Sequence, residues 1–195
     1  GSAHDFSQAG AFNSGGEICV VCHTTHVADL SVSVAPLWDH ELSTTDFGTV
    51  LYDSGTMTAT DVANPGGISR LCLSCHDGSI ALDSFGGSGG SGIFIDPAYN
   101  VNNGALGLTD DHPISFTYND SLATTDGELN APTSTSANIP GKTGNIDQLM
   151  LFDDGAGNLT ELECASCHDV HNAGNAVLLI KDNSGSALCL TCHSK

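Results

Sequence analysis

Eight cysteines in this chain of 195 residues all fall in C-x-x-C pairs: Cys19/Cys22, Cys72/Cys75, Cys164/Cys167 and Cys189/Cys192. A histidine follows each pair at once, at His23, His76, His168 and His193. Disulfides or zinc knuckles use such pairs too. Neither requires a histidine directly after the second cysteine every time. Two thiols that can become thioethers to vinyl groups, with an imidazole beside them, make the attachment signature of a c-type haem. The expected cofactors are four covalently bound haem c groups, each iron held on one face by the histidine of its own motif.

The sixth position of each iron decides between chemistry and conduction. An open position binds substrate, and a filled one does so with difficulty. Five histidines remain for the four places: His4, His26, His40, His112 and His171. Met57 in TMTAT and Met150 in QLMLF are the other donors, and Met150 reads as packing.

His26 follows His23 by three residues, and His171 follows His168 by three. On a helix each such pair shares one face, whereas two axial ligands approach an iron from opposite sides. His26 and His171 are therefore expected to ligate a haem other than the one beside them; the ordinary alternative is a surface histidine bonded to a propionate. His40 sits in APLWDHEL after Trp38, the only tryptophan, which either packs on a porphyrin or forms a structural plug. His112, in DDHPISFTY, is the only histidine between residues 77 and 167 and is expected to bring that long segment to a haem. His4 is the least constrained, because it lies near a terminus.

The elements that position these groups are poorly marked. Only 39% of the chain is hydrophobic and 6% aromatic, with 23 glycines. Loop-forming residues bury little apolar area for the entropy they lose, so cofactors are expected to fill the interior. The expected fold is mostly irregular coil and turns, with short helices and few short strands, wrapped round a stack of four haems. A single multihaem domain over 1–195 is expected, with a first haem pair in 1–76, a loop-rich segment over 77–163 and a second pair in 164–195. CVVCHTTH and CASCHDVH open the two pairs, and CLSCHDG and CLTCHSK close them, as a weak internal repeat. GIFIDPAY and HPISFTY read as small strands, and FGGSGGSG as a flexible surface loop. That glycine-serine stretch has no strand–loop–helix context, which argues against nucleotide binding. Asn119-Asp120-Ser121 and Asn158-Leu159-Thr160 fit the glycosylation pattern, which is common by chance.

The net charge is −19, with Arg70, Lys142, Lys181 and Lys195 the only cations. Propionates add about eight further negative charges if all ionise. Such a surface disfavours nucleic acid and anionic lipid and suits basic partners or mineral surfaces. The apolar run AVLLI at 176–180 falls far short of a membrane span, so no membrane insertion is expected. GSAHDFS reads as the mature end of an exported chain after removal of a leader.

HDFS, CVVCHTTH, PLWDHE, CLSCHDG, DHPISF, CASCHDVHN and CLTCHSK together resemble the extracellular tetrahaem c-type cytochromes of the OmcE type. These are outer-surface proteins of metal-reducing bacteria, with archaeal relatives, that polymerise into filaments. The resemblance implies bis-histidine ligation of every haem and a homopolymer with a continuous haem chain. It also implies a distal histidine from the neighbouring subunit, for which His4 or His26 is the natural candidate. The function expected is non-catalytic electron transfer, outside the cell or on its surface, to partner cytochromes or extracellular acceptors. A monomeric periplasmic shuttle is the alternative. A multihaem reductase with one open iron is disfavoured by the surplus of histidines.

Overall fold

The computed structural model describes residues 2–32, 34–35, 37–48, 51–52, 54–102 and 107–194. Pro36 of PLWDHE and the cation Lys195 lie outside them. Most of the described chain is coil and turn, with a few short helices and one three-stranded sheet. The chain divides into two compact units. The first comprises Ala3–Asp53 and Asn64–Pro113, and the second comprises Ser54–Ala63 and Ile114–Lys195 together with Ser2.

The first unit is organised by helix α1, Gly67–His76, which buries Ser69, Leu71, Leu73 and Ser74. Leu71 joins Val32, Ala35, Trp38 and Leu42 in a small apolar cluster, with Cys22 packed against it. Polar bonds do much of the remaining work. Asp77, which ends α1, is buried and accepts hydrogen bonds from the Ser43 hydroxyl and from Ser79 N, the latter at 2.7 Å. Ser43 N donates to Ser74 Oγ at 2.9 Å, and Arg70 Nε donates to Ser43 O at 2.8 Å. The glycine-serine loop is fastened at both ends: Gly86 N donates to Asp39 Oδ2, and Ser91 N to the Asp83 carboxylate. GIFIDPAY forms no strand; it contains only a 3-10 turn at Pro97–Tyr99, where Asp96 caps Ala98 N and Pro97 fixes the first helical φ.

The second unit holds a core that the composition did not lead us to expect. Tyr118, Ala123, Ala137, Ile139, Ile146, Met150, Leu151, Leu162 and Leu188 are buried together. Met150 is thus packing, as its setting in QLMLF implies. The elements behind this core are β1 (Phe116–Thr117), α2 (Asp120–Asp126), α3 (Ile146–Met150), β2 (Phe152–Asp153) and β3 (Leu159–Leu162). Asn119 caps α2 by accepting from Leu122 N, and Gly127 ends it at φ 75°, a conformation only glycine adopts freely. The antiparallel sheet runs in the order β1-β3-β2, with Phe116 opposite Leu162 and Phe152 opposite Glu161. HPISFTY therefore yields β1, as its sequence implies. Ile146→Ala would remove a fully buried side chain from this core and is expected to cost about 3 kcal/mol. A denaturant melt of the holoprotein measures it.

Burial raises the Glu161 carboxyl above its ordinary range; the Thr117 hydroxyl opposes this, and Asp61 adds to it. The folded state thus favours the protonated acid. Its contribution is complete below the unfolded pKa and is lost as pH rises through the raised folded value. Between about pH 4 and 7, the wild-type melting midpoint should fall relative to that of Glu161→Gln. Parallel curves for the two proteins would refute this.

Candidate haem sites

Each motif closes a turn that brings its histidine back towards its first cysteine. In α1, Cys72, Cys75 and His76 stand three and four residues apart on one helical face. In the other three motifs the histidine amide returns to the first cysteine carbonyl: His23 N to Cys19 O at 2.9 Å, His168 N to Cys164 O at 3.1 Å, and His193 N to Cys189 O at 2.9 Å. The fourth motif forms α4, Cys189–Cys192, and the third a 3-10 turn at Cys164–Ser166.

The motifs meet in pairs within each unit. In the first unit, Cys22 lies close enough to Cys75 to raise its pKa; in the second, Cys167 does the same to Cys192. Burial is the larger cause in both cases, pushing Cys75 up to about 12 and Cys192 up to about 11. Burial likewise raises Cys22 and Cys167 to about 11. Such thiols resist becoming the thiolates that zinc needs, whereas a thioether carries no charge to bury. All eight cysteines are free of disulfides. Among the described residues, no three His, Cys, Asp or Glu side chains converge as a metal cluster would require.

The two pairs follow one hydrogen-bond plan. In the first, Thr24 N donates to Leu37 O and Asp39 N to Cys22 O, each at 2.9 Å, and His23 bridges Trp38. In the second, Asp169 N donates to Leu178 O at 2.7 Å and Ile180 N to Cys167 O at 2.9 Å, and His168 bridges Leu179. Leu37 and Leu178 hold corresponding places, and both have positive φ, 55° and 60°. The weak repeat of motif order is thus a repeat of backbone structure.

This plan overturns the helical premise behind His26 and His171. After Cys22 and Cys167 the chain bonds to its returning strand and does not continue a helix, so neither His23–His26 nor His168–His171 spans a helical turn. His26 is exposed, and Val27 beside it is 98% exposed with φ 61°. The His171 side chain is 78% exposed, with Nδ1 3.9 Å from Asp169 Oδ1.

Four histidines have their ring orientation fixed by a backbone carbonyl. Nδ1 of His40 meets Glu41 O at 2.9 Å, that of His76 Tyr99 O at 2.8 Å, that of His112 Pro113 O at 2.8 Å, and that of His168 Val177 O at 2.9 Å. A carbonyl only accepts, so each Nδ1 donates its proton there, which fixes the orientation of the ring and so the position of Nε2, the nitrogen available to a metal. These carbonyl partners were not visible in the sequence, because no side-chain type marks them. His40 is almost wholly buried, with Nε2 3.6 Å from Cys75 Sγ. The ring of His4 lies 6.0 Å from that of His76, centre to centre, at an interplanar angle of 48°. That gap accommodates one iron at metal–nitrogen distances of about 2 Å. His112 is exposed and His193 half-buried.

The residues fit a haem on a further count. Trp38 is buried beside His23, and its indole Nε1 has no acceptor. A buried N–H without a partner is costly, and a propionate is an acceptor that haem brings with it. When bound, the group would supply a one-electron iron couple; the cysteine thiols would tether it and the imidazoles would hold its iron.

No curated protein matches the chain. Residues 157–195 match a protein family, the Doubled CXXCH motif (Paired_CXXCH_1). That stretch carries the third and fourth motifs, and with the two earlier motifs it points to a multihaem c-type cytochrome with covalently bound haem c.

Proposed function

We propose that the chain is a tetrahaem electron conduit of the OmcE type, exported and polymerised into an extracellular filament. Four closed haems pass electrons within each pair and on to the next subunit or an external acceptor. The observation that carries this reading is the pairing of motifs, Cys22 with Cys75 and Cys167 with Cys192, on one repeated backbone plan. Thioethers that close bring two porphyrins together, as rapid electron exchange needs. His4 opposite His76, and the buried Nε2 of His40, supply distal ligands in the first unit.

With His4 facing His76, His26 becomes the favoured ligand for a neighbouring subunit. It is exposed, and the chain around it presents Val27 and Leu30, 98% and 80% exposed, as apolar contacts for a second copy. The role is conduction rather than catalysis. The experiment is intact mass and haem absorbance of the purified holoprotein, followed by negative-stain microscopy. Four haems per chain and long filaments are expected. Fewer haems would sink the tetrahaem reading, and monomer-sized particles at every concentration would sink the filament.

A further inference from the structure

Buried charges of opposite sign stand beside the closing motifs of the two units. In the first, Asp77 directly follows the second motif and is 3% exposed. Its carboxylate accepts from the Ser43 hydroxyl and from Ser79 N, and its backbone N donates to Leu73 O at 2.9 Å, closing the end of α1. In the second, Lys181 is 8% exposed, and its Nζ donates to Thr191 Oγ1 and to Ala137 O, each at 3.0 Å. Thr191 lies inside the fourth motif, one residue before Cys192. The repeated plan brings Lys181 there, because it follows Ile180 as His40 follows Asp39.

Neither charge is paired with its opposite: the only ion pair among the described residues is His171 with Asp169. Arg70, the single Lys or Arg of the first unit, donates from Nε to Ser43 O and forms no ion pair with Asp77. Hydrogen bonds spread a charge without neutralising it. Cys75 and Cys192, the second cysteines of the two closing motifs, sense the difference. Burial raises both thiols; beyond it, Asp77 adds to the rise of Cys75, whereas Lys181 opposes that of Cys192. Exposed carboxylates elsewhere on the chain are screened by water and salt, but buried charges act strongly across a few ångströms.

We propose that these two charges give the chain a redox direction. Asp77 holds the haem on Cys72 and Cys75 at the low-potential end, and Lys181 holds the haem on Cys189 and Cys192 at the high-potential end. A negative charge beside an iron disfavours an added electron, and a positive charge favours it. Electrons entering the chain therefore settle in the second unit. The step is the passage of one electron from ferrous to ferric iron, with no bond broken and no proton moved. This rests on the reading of the four motifs as haem sites.

The test is a potentiometric titration of the holoprotein, followed by haem absorbance, in wild type and charge variants. Lys181→Gln keeps donors for Ala137 O and Thr191 Oγ1 but removes the charge. It should move the highest-potential step down and leave the lowest in place. Lys181→Arg keeps the charge and should leave the highest step near its wild-type place. Asp77→Asn should move the lowest step up and leave the highest in place. Proton NMR of the partly reduced wild type needs no variant to fold: the first haem to lose its paramagnetic shifts should be the one whose methyl groups contact Thr191. First reduction at any other haem overturns the proposal. So does Lys181→Gln or Asp77→Asn with every step unmoved. A drop in Lys181→Arg equal to that in Lys181→Gln overturns it too, because packing rather than charge would then be the cause. Intact mass separates this from the functional reading. Fewer than four haems would sink that reading and the gradient with it, whereas four haems with unmoved steps would sink the gradient alone.

Discussion

Replacing Cys72 and Cys75 together by alanine is expected to remove one whole haem from the holoprotein and to loosen the first unit. Both thiols lie on the face of α1 that carries His76, and Cys75 also contacts His40. The apolar cluster around that helix has only five buried members, among them Ala35 and Val32. Side chains of that number and size bury too little area to hold a unit of about this size alone. Intact mass should fall by one haem, and His76 and His40 should lose the group that orders them. The melt of the first unit should broaden and move to lower temperature. A haem count equal to wild type would refute the assignment of this motif.

The second large effect is expected at Asp77. Its buried carboxylate accepts from the Ser43 hydroxyl and from Ser79 N, and Ser43 is tied in turn to Ser74 and Arg70. Hydrogen bonds to a charged group contribute about 1.5–3 kcal/mol each, and an orphaned buried donor adds its own penalty. Asp77→Ala should therefore destabilise the first unit by about 4 kcal/mol in a denaturant melt. Asp77→Asn keeps the shape and one acceptor oxygen, so it should cost roughly half as much. Equal losses for both variants would show that the carboxylate is not what holds Ser43. The haem count should remain unchanged in either variant, because Asp77 bears none of the attachment bonds.

The sequence announced the attachment chemistry almost completely, because C-x-x-C-H is a local pattern whose residues must be adjacent. The loop-rich character was legible too, from glycine content and scarce aromatics. The core of the second unit was hidden. Its members come from Tyr118 to Leu188, in short pieces with no sustained periodicity, and it forms only when the chain closes. Helix α2 was legible in principle: Asn119 and Gly127 bracket it as N-cap and C-terminal glycine. For His26 and His171 the spacing was read as helical, while the backbone returns at once to Leu37–Asp39 and Leu178–Ile180. Lys181 looked like one of four scattered cations; only the backbone repeat aligns it with His40.

The unequal apolar clusters of the two units bear on the timing of maturation. In the second unit nine buried side chains can gather without any cofactor, and Cys167 and Cys192 pack against that gathering. Once it closes, both thiols sit at pKa values of about 11 and are slow to react as nucleophiles. Collapse there competes with haem attachment, so the cofactor must arrive first or the cluster must reopen. The first unit sets the same race with a smaller cluster: burial raises Cys22 to about 11 and Cys75 to about 12, and Cys22 packs against its five buried side chains.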